Sequence, residues 1–283
     1  MMRNPAHAWT WCLALLFAGI LAVPVVQADS IVFAGLNMTT NGEADLTGSG
    51  NLQLIPEYLG GCCVGQGGSA YVTAQYEISN GSPFSATFSY SMTNADSGHN
   101  EPYGMADGLA FVVQGAGVNA LGGYVGYASM TPSVDVVLRT FVYNDIEIDQ
   151  NGTIGTLNSP PSPSLAYQPL NLQGGQYDVT DTGTVTVSYD GNGALTVTGT
   201  DNEGDIINLS TSIDLSEFGG SAWIGFTGSS GAGSAEEEIT SASIQTTQLG
   251  AVPEPSTALL AIPAMLALAA FWRRRAVGHA IRS

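Results

Sequence analysis

Residues 84–90 read Phe-Ser-Ala-Thr-Phe-Ser-Tyr, apolar and hydroxyl-bearing side chains in strict alternation. A period of two puts every apolar side chain on one face of an extended strand, which no helix can do. Val185, Val187 and Tyr189 repeat the pattern, and Leu195 and Val197 answer them across Asp190-Gly191-Asn192-Gly193. Asn and Gly tolerate the positive φ that a tight turn demands, so this stretch reads as a β-hairpin. Further strands are expected at 109–113, 133–142, 222–226 and 239–244, and Pro160-Pro161-Ser162-Pro163 must be loop. Many short strands between Gly-rich turns predict an all-β sandwich or barrel rather than a parallel α/β fold. No internal repeat of fixed period is visible.

Both ends read as addresses rather than as fold. Arg3 precedes an apolar stretch over 9–26, and Val26-Gln27-Ala28 ends on small residues. That is the layout of a secretory signal peptide cut before Asp29; the small-residue ending argues against an uncleaved signal-anchor. At the other end Val252-Pro253-Glu254-Pro255-Ser256-Thr257 leads into an apolar run over 258–272 and then Arg273-Arg274-Arg275. The run is near the lower limit for a spanning helix, about 17–25 residues, and the arginines should hold its end in the cytoplasm. By physics alone this is a tail anchor. The order of motif, apolar run and arginine cluster closely resembles the PEP-CTERM sorting signal of Gram-negative bacteria. That resemblance implies an exosortase-type processing enzyme as partner and transient inner-membrane anchoring. It also implies removal of the tail and delivery to the cell surface or extracellular matrix. The expected organisation is therefore a signal peptide over 1–28, one β-sandwich domain over 29–250, and a sorting signal over 251–283 marked by Pro253, Glu254 and Pro255.

The charge is lopsided. The chain carries 24 Asp and Glu against 6 cationic residues, all arginine, for a net charge of −18. Within 29–250 Arg139 is the sole cation. Such a surface repels phosphate backbones, which excludes nucleic acid as a partner. It also suits a soluble exported protein, and it could attract divalent cations. Cys62 and Cys63 are adjacent, so a bridge between them would close only a strained ring; an inter-chain bond or two inert loop thiols are the readings left.

Within the domain, successive blocks resemble a family. Gly68-Ser69-Ala70-Tyr71 precedes the 84–90 strand. Ala106-Asp107-Gly108-Leu109-Ala110-Phe111 and Gly122-Gly123-Tyr124-Val125-Gly126-Tyr127 follow, then Ser133-Val134 leading to Thr140-Phe141. Last comes Asp214-Leu215-Ser216 with Ala222-Trp223-Ile224-Gly225-Phe226-Thr227. Their order is similar to the legume-type (L-type) lectin domain, which implies a concanavalin-like jelly roll and a sugar-binding cleft. In that family the Asp of the Ala-Asp-Gly motif follows a cis peptide and accepts hydrogen bonds from sugar hydroxyls. Asp107 is the matching residue. The resemblance implies backbone donors at Gly122 or Gly123, a side-chain donor at Asn144, and aromatic packing from Phe141 and Tyr143. The competing reading makes Asp107 a loop anchor and the glycines mere turn residues.

L-type lectins preorganise this cleft with calcium and a second metal, using an acidic pair in a Val-x-Val-Glu-Phe-Asp-Thr-Phe strand. Here Val137 replaces the Glu and Arg139 replaces the Asp, and His99 is the sole histidine of the domain. The transition-metal site therefore reads as lost, with the Arg139 guanidinium either standing where a cation stood or pointing to solvent. Calcium is the one cofactor still offered ligands, from Asp145, Glu147, Asp149 and Asn151. Their spacing from Glu147 imitates the start of an EF-hand loop, but Asn158 stands where the bidentate Glu belongs. The alternative is a solvated acidic loop.

The same three carboxylates alternate along one strand, a pattern glycoside hydrolases also use. The order of Asp and Glu is reversed from the hydrolase motif, and no Gly-x-Ser-x-Gly elbow is present. The expectation is thus an exported carbohydrate-binding protein, with a glycan or exopolysaccharide as partner. Two alternatives remain: a structural matrix protein with a silent cleft, and a glycoside hydrolase.

Overall fold

A computed structural model describes residues 37–56, 65–94, 104–141, 143–154, 164–231, 233 and 235–246, with the backbone of Ala28 and Asp29. The signal-peptide stretch, Cys62, Cys63, His99, Asn158, Pro160 to Pro163 and the Pro253-Glu254-Pro255 tail lie outside these residues. Among the described residues no helix is long and apolar enough to cross a membrane.

The strands are β1 (Ala28–Asp29), β2 (Met38–Gly42), β3 (Asp45–Leu46), β4 (Leu52–Ile55), β5 (Gln66–Val72), β6 (Tyr76–Ile78), β7 (Phe84–Asn94) and β8 (Gly108–Gln114). They continue as β9 (Ser133–Arg139), β10 (Asp145–Gln150), β11 (Ala166–Pro169), β12 (Val179–Tyr189), β13 (Ala194–Asp201), β14 (Ile206–Ser212), β15 (Gly220–Ser230) and β16 (Glu236–Gln245). They form two sheets of eight strands. One runs β14-β13-β12-β7-β16-β4-β3, with β1 also on β16; the other runs β11-β10-β9-β8-β15-β5-β2, with β6 also on β15. β8 to β11 and β12 to β14 run as meanders, while β7 beside β16 and β8 beside β15 join strands far apart in sequence, as in a jelly roll.

The alternation over 84–90 becomes β7, with Phe84, Ala86, Phe88, Tyr90 and Met92 buried and the residues between them half-buried. Its outward hydroxyls pair across the sheet, Thr87 with Thr186 at 2.9 Å and Ser89 with Thr184 at 2.9 Å. The expected hairpin joins β12 to β13 with Tyr189 opposite Leu195. Gly191 and Gly193 turn at φ 80° and 105°, and Asp190 Oδ1 accepts the N–H groups of Asn192 and Ala194. Between the sheets Phe88 stacks on Phe111 at 6.0 Å and meets Phe226 edge-on at 5.2 Å. Burying apolar faces of this size is the main stabilising term.

The second sheet is covered on its outer face too. The segment 118–130 folds over β8 and β9, and Val125, Tyr127 and Met130 pack there with Tyr71, Ala110, Val112 and Val137. Both faces of β8 and β9 are therefore buried along their whole length. That is why β8 reads as a nearly continuous apolar run, and why β9 shows no clean alternation even though Asp135 and Arg139 lie within it. The strands expected at 222–226 and 239–244 run longer, as Gly220–Ser230 and Glu236–Gln245, whereas β9 stops at Arg139 instead of reaching 142, where Phe141 turns the chain with φ 74°.

Candidate functional site

At one end of the second sheet, β8 begins, β9 and β15 end, and β10 begins. Gly108 pairs with Arg139 on one side and with Ser229 on the other. Only glycine fits at 108: its φ is 124°, and a Cβ would collide with the Leu138 carbonyl. Immediately before it, the Ala106–Asp107 peptide bond is cis. The Asp107 N–H donates to the Ser229 carbonyl at 2.9 Å, and the Asp107 carbonyl accepts from the Thr140 N–H at 3.0 Å. The Asp107 backbone is thus tied to both neighbouring strands, and its half-buried carboxylate is left at the rim.

That carboxylate lines a cleft of about 360 Å³ with Gly122, Gly123, Tyr124, Ser230 and Gly231. The volume lies at the small end of ligand sites, roughly 300–1,000 Å³. A larger hollow of about 470 Å³ lies on the outer face of the first sheet, among Ser and Thr hydroxyls with Asp201 and Asn202. The Asp107 cleft is the better candidate because its carboxylate meets a glycine-lined loop at the ends of the strands, where the backbone can approach a ligand. Ser229 Oγ donates to Asp107 Oδ2 at 3.3 Å and accepts the Val125 N–H at 2.8 Å. The Val125 carbonyl in turn accepts from Thr227 Oγ1 at 2.6 Å, so the glycine loop is pinned against Asp107. Burial raises the Asp107 pKa above the ordinary Asp value, and the Ser229 hydrogen bond opposes the rise.

The structure distinguishes the two glycines. Gly122 N–H is taken by the Gly126 carbonyl at 2.8 Å, and a Cβ on Gly122 would strike Ala128. Gly123 faces open space, with nothing near a Cβ built there. Gly123 is therefore the better-placed backbone donor.

Asn144, Phe141 and Tyr143 do not line this cleft. Asn144 turns at φ 47°, and its Oδ1 accepts the Gly174 N–H at 3.0 Å, fastening the segment before β12. Phe141 lies on the same turn, its backbone against Gly174. The Tyr143 ring packs over the Arg139 guanidinium at 4.5 Å. The aromatic residue lining the cleft is Tyr124, whose ring meets Tyr127 edge-on at 6.4 Å and whose motif gave it no assigned role. Glu237 was missed as well. It is fully buried behind the cleft, and its Oε1 accepts the Gly108 N–H at 3.1 Å.

The residues expected to hold calcium already have partners. Both Asp145 oxygens accept from Arg139, at 2.9 and 2.7 Å. Glu147 Oε2 accepts from Ser164 at 2.7 Å, and its Oε1 lies 3.1 Å from Arg139 Nε. Asp149 Oδ2 accepts from Tyr127 at 2.6 Å. Asn151 bonds the Ser133 N–H and the Glu217 carboxylate. Among the described residues no three His, Cys, Asp or Glu side chains are grouped to hold a metal ion. The donor set fits the calcium expectation poorly: both Asp145 oxygens are taken by the Arg139 guanidinium, which also lies against Glu147, although Glu147 Oε1 and Asp149 Oδ1 have no hydrogen-bond partner. The hydrolase pattern fares no better: Asp145, Glu147 and Asp149 are all buried, away from the cleft.

No protein-family model matches this chain. Its fold is similar to solved plant lectins. Peanut lectin with a bound nonapeptide aligns at TM-score 0.61 and 22% identity, covering 78% of this chain and 95% of that one. The lectin of Bauhinia forficata in complex with GalNAc aligns at 0.59 and 25%, covering 75% and 93%. Lectin I of Ulex europaeus with the methyl glycoside of α-L-fucose aligns at 0.59 and 22%, covering 78% and 96%. The architecture is the legume-lectin jelly-roll sandwich.

Proposed function

We propose that this protein is an exported carbohydrate-binding module whose sugar site is the Asp107 cleft. The observation that carries the reading is the convergence of the Asp107 carboxylate, following its cis peptide, with Gly123, Tyr124 and Gly231 in one small cleft. A pyranose offers adjacent hydroxyls that a carboxylate can accept from in pairs, and charged acceptors make the stronger hydrogen bonds. Tyr124 adds an aromatic residue to the lining, and Gly123 an open stretch of backbone that a sugar can approach. The likeness to lectins that hold GalNAc and a fucoside supports the class of ligand.

Export belongs to the same proposal and rests on the two termini. The signal-peptide layout and the Pro253-Glu254-Pro255 tail send the domain through the inner membrane to the cell surface or matrix, where a glycan or exopolysaccharide is the partner. The second reading, a structural matrix protein with a silent cleft, is favoured by Val137 and Arg139 in place of the metal-binding carboxylates. A glycan array probed with the purified protein separates the two. Binding to a defined glycan class supports the lectin, and a blank array on folded protein supports the matrix role.

A further inference from the structure

We infer that Arg139 is a built-in counter-ion that orders the cleft-side loop in place of the divalent cations used by L-type lectins, so that the site forms without metal. Arg139 is 1% exposed, and its guanidinium grips Asp145 through two parallel hydrogen bonds, Nε to Oδ1 at 2.9 Å and Nη2 to Oδ2 at 2.7 Å. Glu147 Oε1 lies 3.1 Å from Nε, and Tyr143 covers the guanidinium face at 4.5 Å. A planar fork matches a carboxylate in two places at once, so it fixes direction as well as charge.

The position makes this clamp matter to the cleft. Arg139 is the last residue of β9 and Asp145 the first of β10, and the two stand in register. The bonds therefore close the base of the 140–144 turn, whose Phe141 and Asn144 both have positive φ. On the other side Arg139 pairs with Gly108, and the next residue, Thr140, donates to the Asp107 carbonyl at 3.0 Å. The charge of Arg139 also reaches Tyr124, where it opposes the upward push of burial on the phenol. The Arg139 backbone is thus paired with the strand that follows Asp107, while its guanidinium closes the turn beside that strand and reaches the cleft wall at Tyr124. A divalent cation placed among Asp145 and Glu147 would face this fixed positive charge and find both Asp145 oxygens occupied. Arg139 is on this account a positioning residue.

Only the sugar arm of the test rests on the carbohydrate reading. Thermal unfolding of the purified chain is followed in EDTA, in calcium and in manganese. The expected result is the same midpoint in all three, and a midpoint that rises with either cation overturns the inference. Arg139→Met removes the charge but keeps the length, and should lower the midpoint by roughly 10 °C, since it leaves a buried carboxylate unpaired. Arg139→Asp converts the clamp into three neighbouring carboxylates. Calcium should raise the midpoint of that variant while leaving the native chain unmoved, a rescue that a merely space-filling role for Arg139 does not produce. If Arg139→Asp cannot be purified folded, the cation series on the native chain decides alone. Any glycan that binds the native chain should bind equally in EDTA. A glycan whose binding requires added cation defeats the inference, whereas an absence of glycan binding strikes the carbohydrate reading and leaves the stability result to stand.

Discussion

Glu237 lies buried behind Asp107, and its Oε1 accepts the N–H of Gly108, the residue that follows Asp107, at 3.1 Å. Burial pushes the Glu237 carboxyl well above the usual range; the Gly108 N–H opposes this and the nearby Asp107 charge adds to it. Burial thus disfavours charge on the carboxyl that supports the cleft from inside the sandwich. Glu237→Gln keeps the acceptor and the shape, and should change stability by less than about 1 kcal/mol. Glu237→Leu orphans the Gly108 N–H and should cost roughly 1–3 kcal/mol. Urea unfolding of the two variants checks this; equal losses in both would mean that charge, not the hydrogen bond, is what Glu237 contributes.

The two glycines should separate fold from recognition. Gly123→Ala adds a methyl group over the cleft where no atom stands, and should leave unfolding unchanged while reducing glycan affinity at least about tenfold, a change of about 1.4 kcal/mol. Gly122→Ala drives a methyl group into the Ala128 backbone and should destabilise the domain by roughly 1–3 kcal/mol. Unchanged affinity in Gly123→Ala would move the sugar away from that loop.

Stability should fall on going from acidic to neutral pH. Asp181 is buried, one oxygen bonded to the Gln173 N–H at 2.7 Å, and its pKa is pushed up to about 6, first by burial and then by the Glu203 and Asp201 charges. A carboxyl with a raised folded pKa keeps its proton in the native state where the unfolded chain has released it. Its contribution therefore declines as pH rises from about 4 through about 6. Asp135 and Glu237 are shifted in the same direction by burial. Unfolding midpoints measured from pH 4 to pH 7 should decrease, most of the Asp181 share falling below about pH 6, and Asp181→Asn should flatten part of the slope. A midpoint that climbs over this range would contradict the assignment.

Processing is the prediction that the termini carry. Protein recovered from the native cell surface should begin at Asp29 and end near Pro253, Glu254 and Pro255. Intact mass decides it; a surface species that retains Trp272 would refute tail removal.

What could be read in advance depended on which faces meet water. β7 was legible because its outer face carries hydroxyls, so the period of two survives. β8 and β9, covered on both sides, lacked that alternation, and the end of β9 was hidden by a turn at Phe141 that no residue type announces. Asp107 was legible through its motif. Glu237 was not, because Glu236-Glu237-Glu238 looks like a solvated acidic run. Counting back two residues from the inward Ile239 would have turned Glu237 into the core, which is where it lies. Asn144 and Tyr143 sat near the right turn, but a single-residue choice between neighbours needs the turn geometry that only the folded chain provides.

The most direct test is calorimetric titration of a glycan found on the array against the native protein and Asp107→Asn, with circular dichroism confirming the fold of both. The substitution keeps the shape, removes the charge and turns one acceptor into a donor. The carbohydrate account predicts a loss of roughly 1.5–3 kcal/mol, about ten- to a hundredfold in affinity. It also predicts that native binding weakens on acidification at a higher pH than an ordinary Asp would give, because burial raises the Asp107 pKa. Equal affinity in the two proteins would contradict the account and place the sugar elsewhere on the molecule.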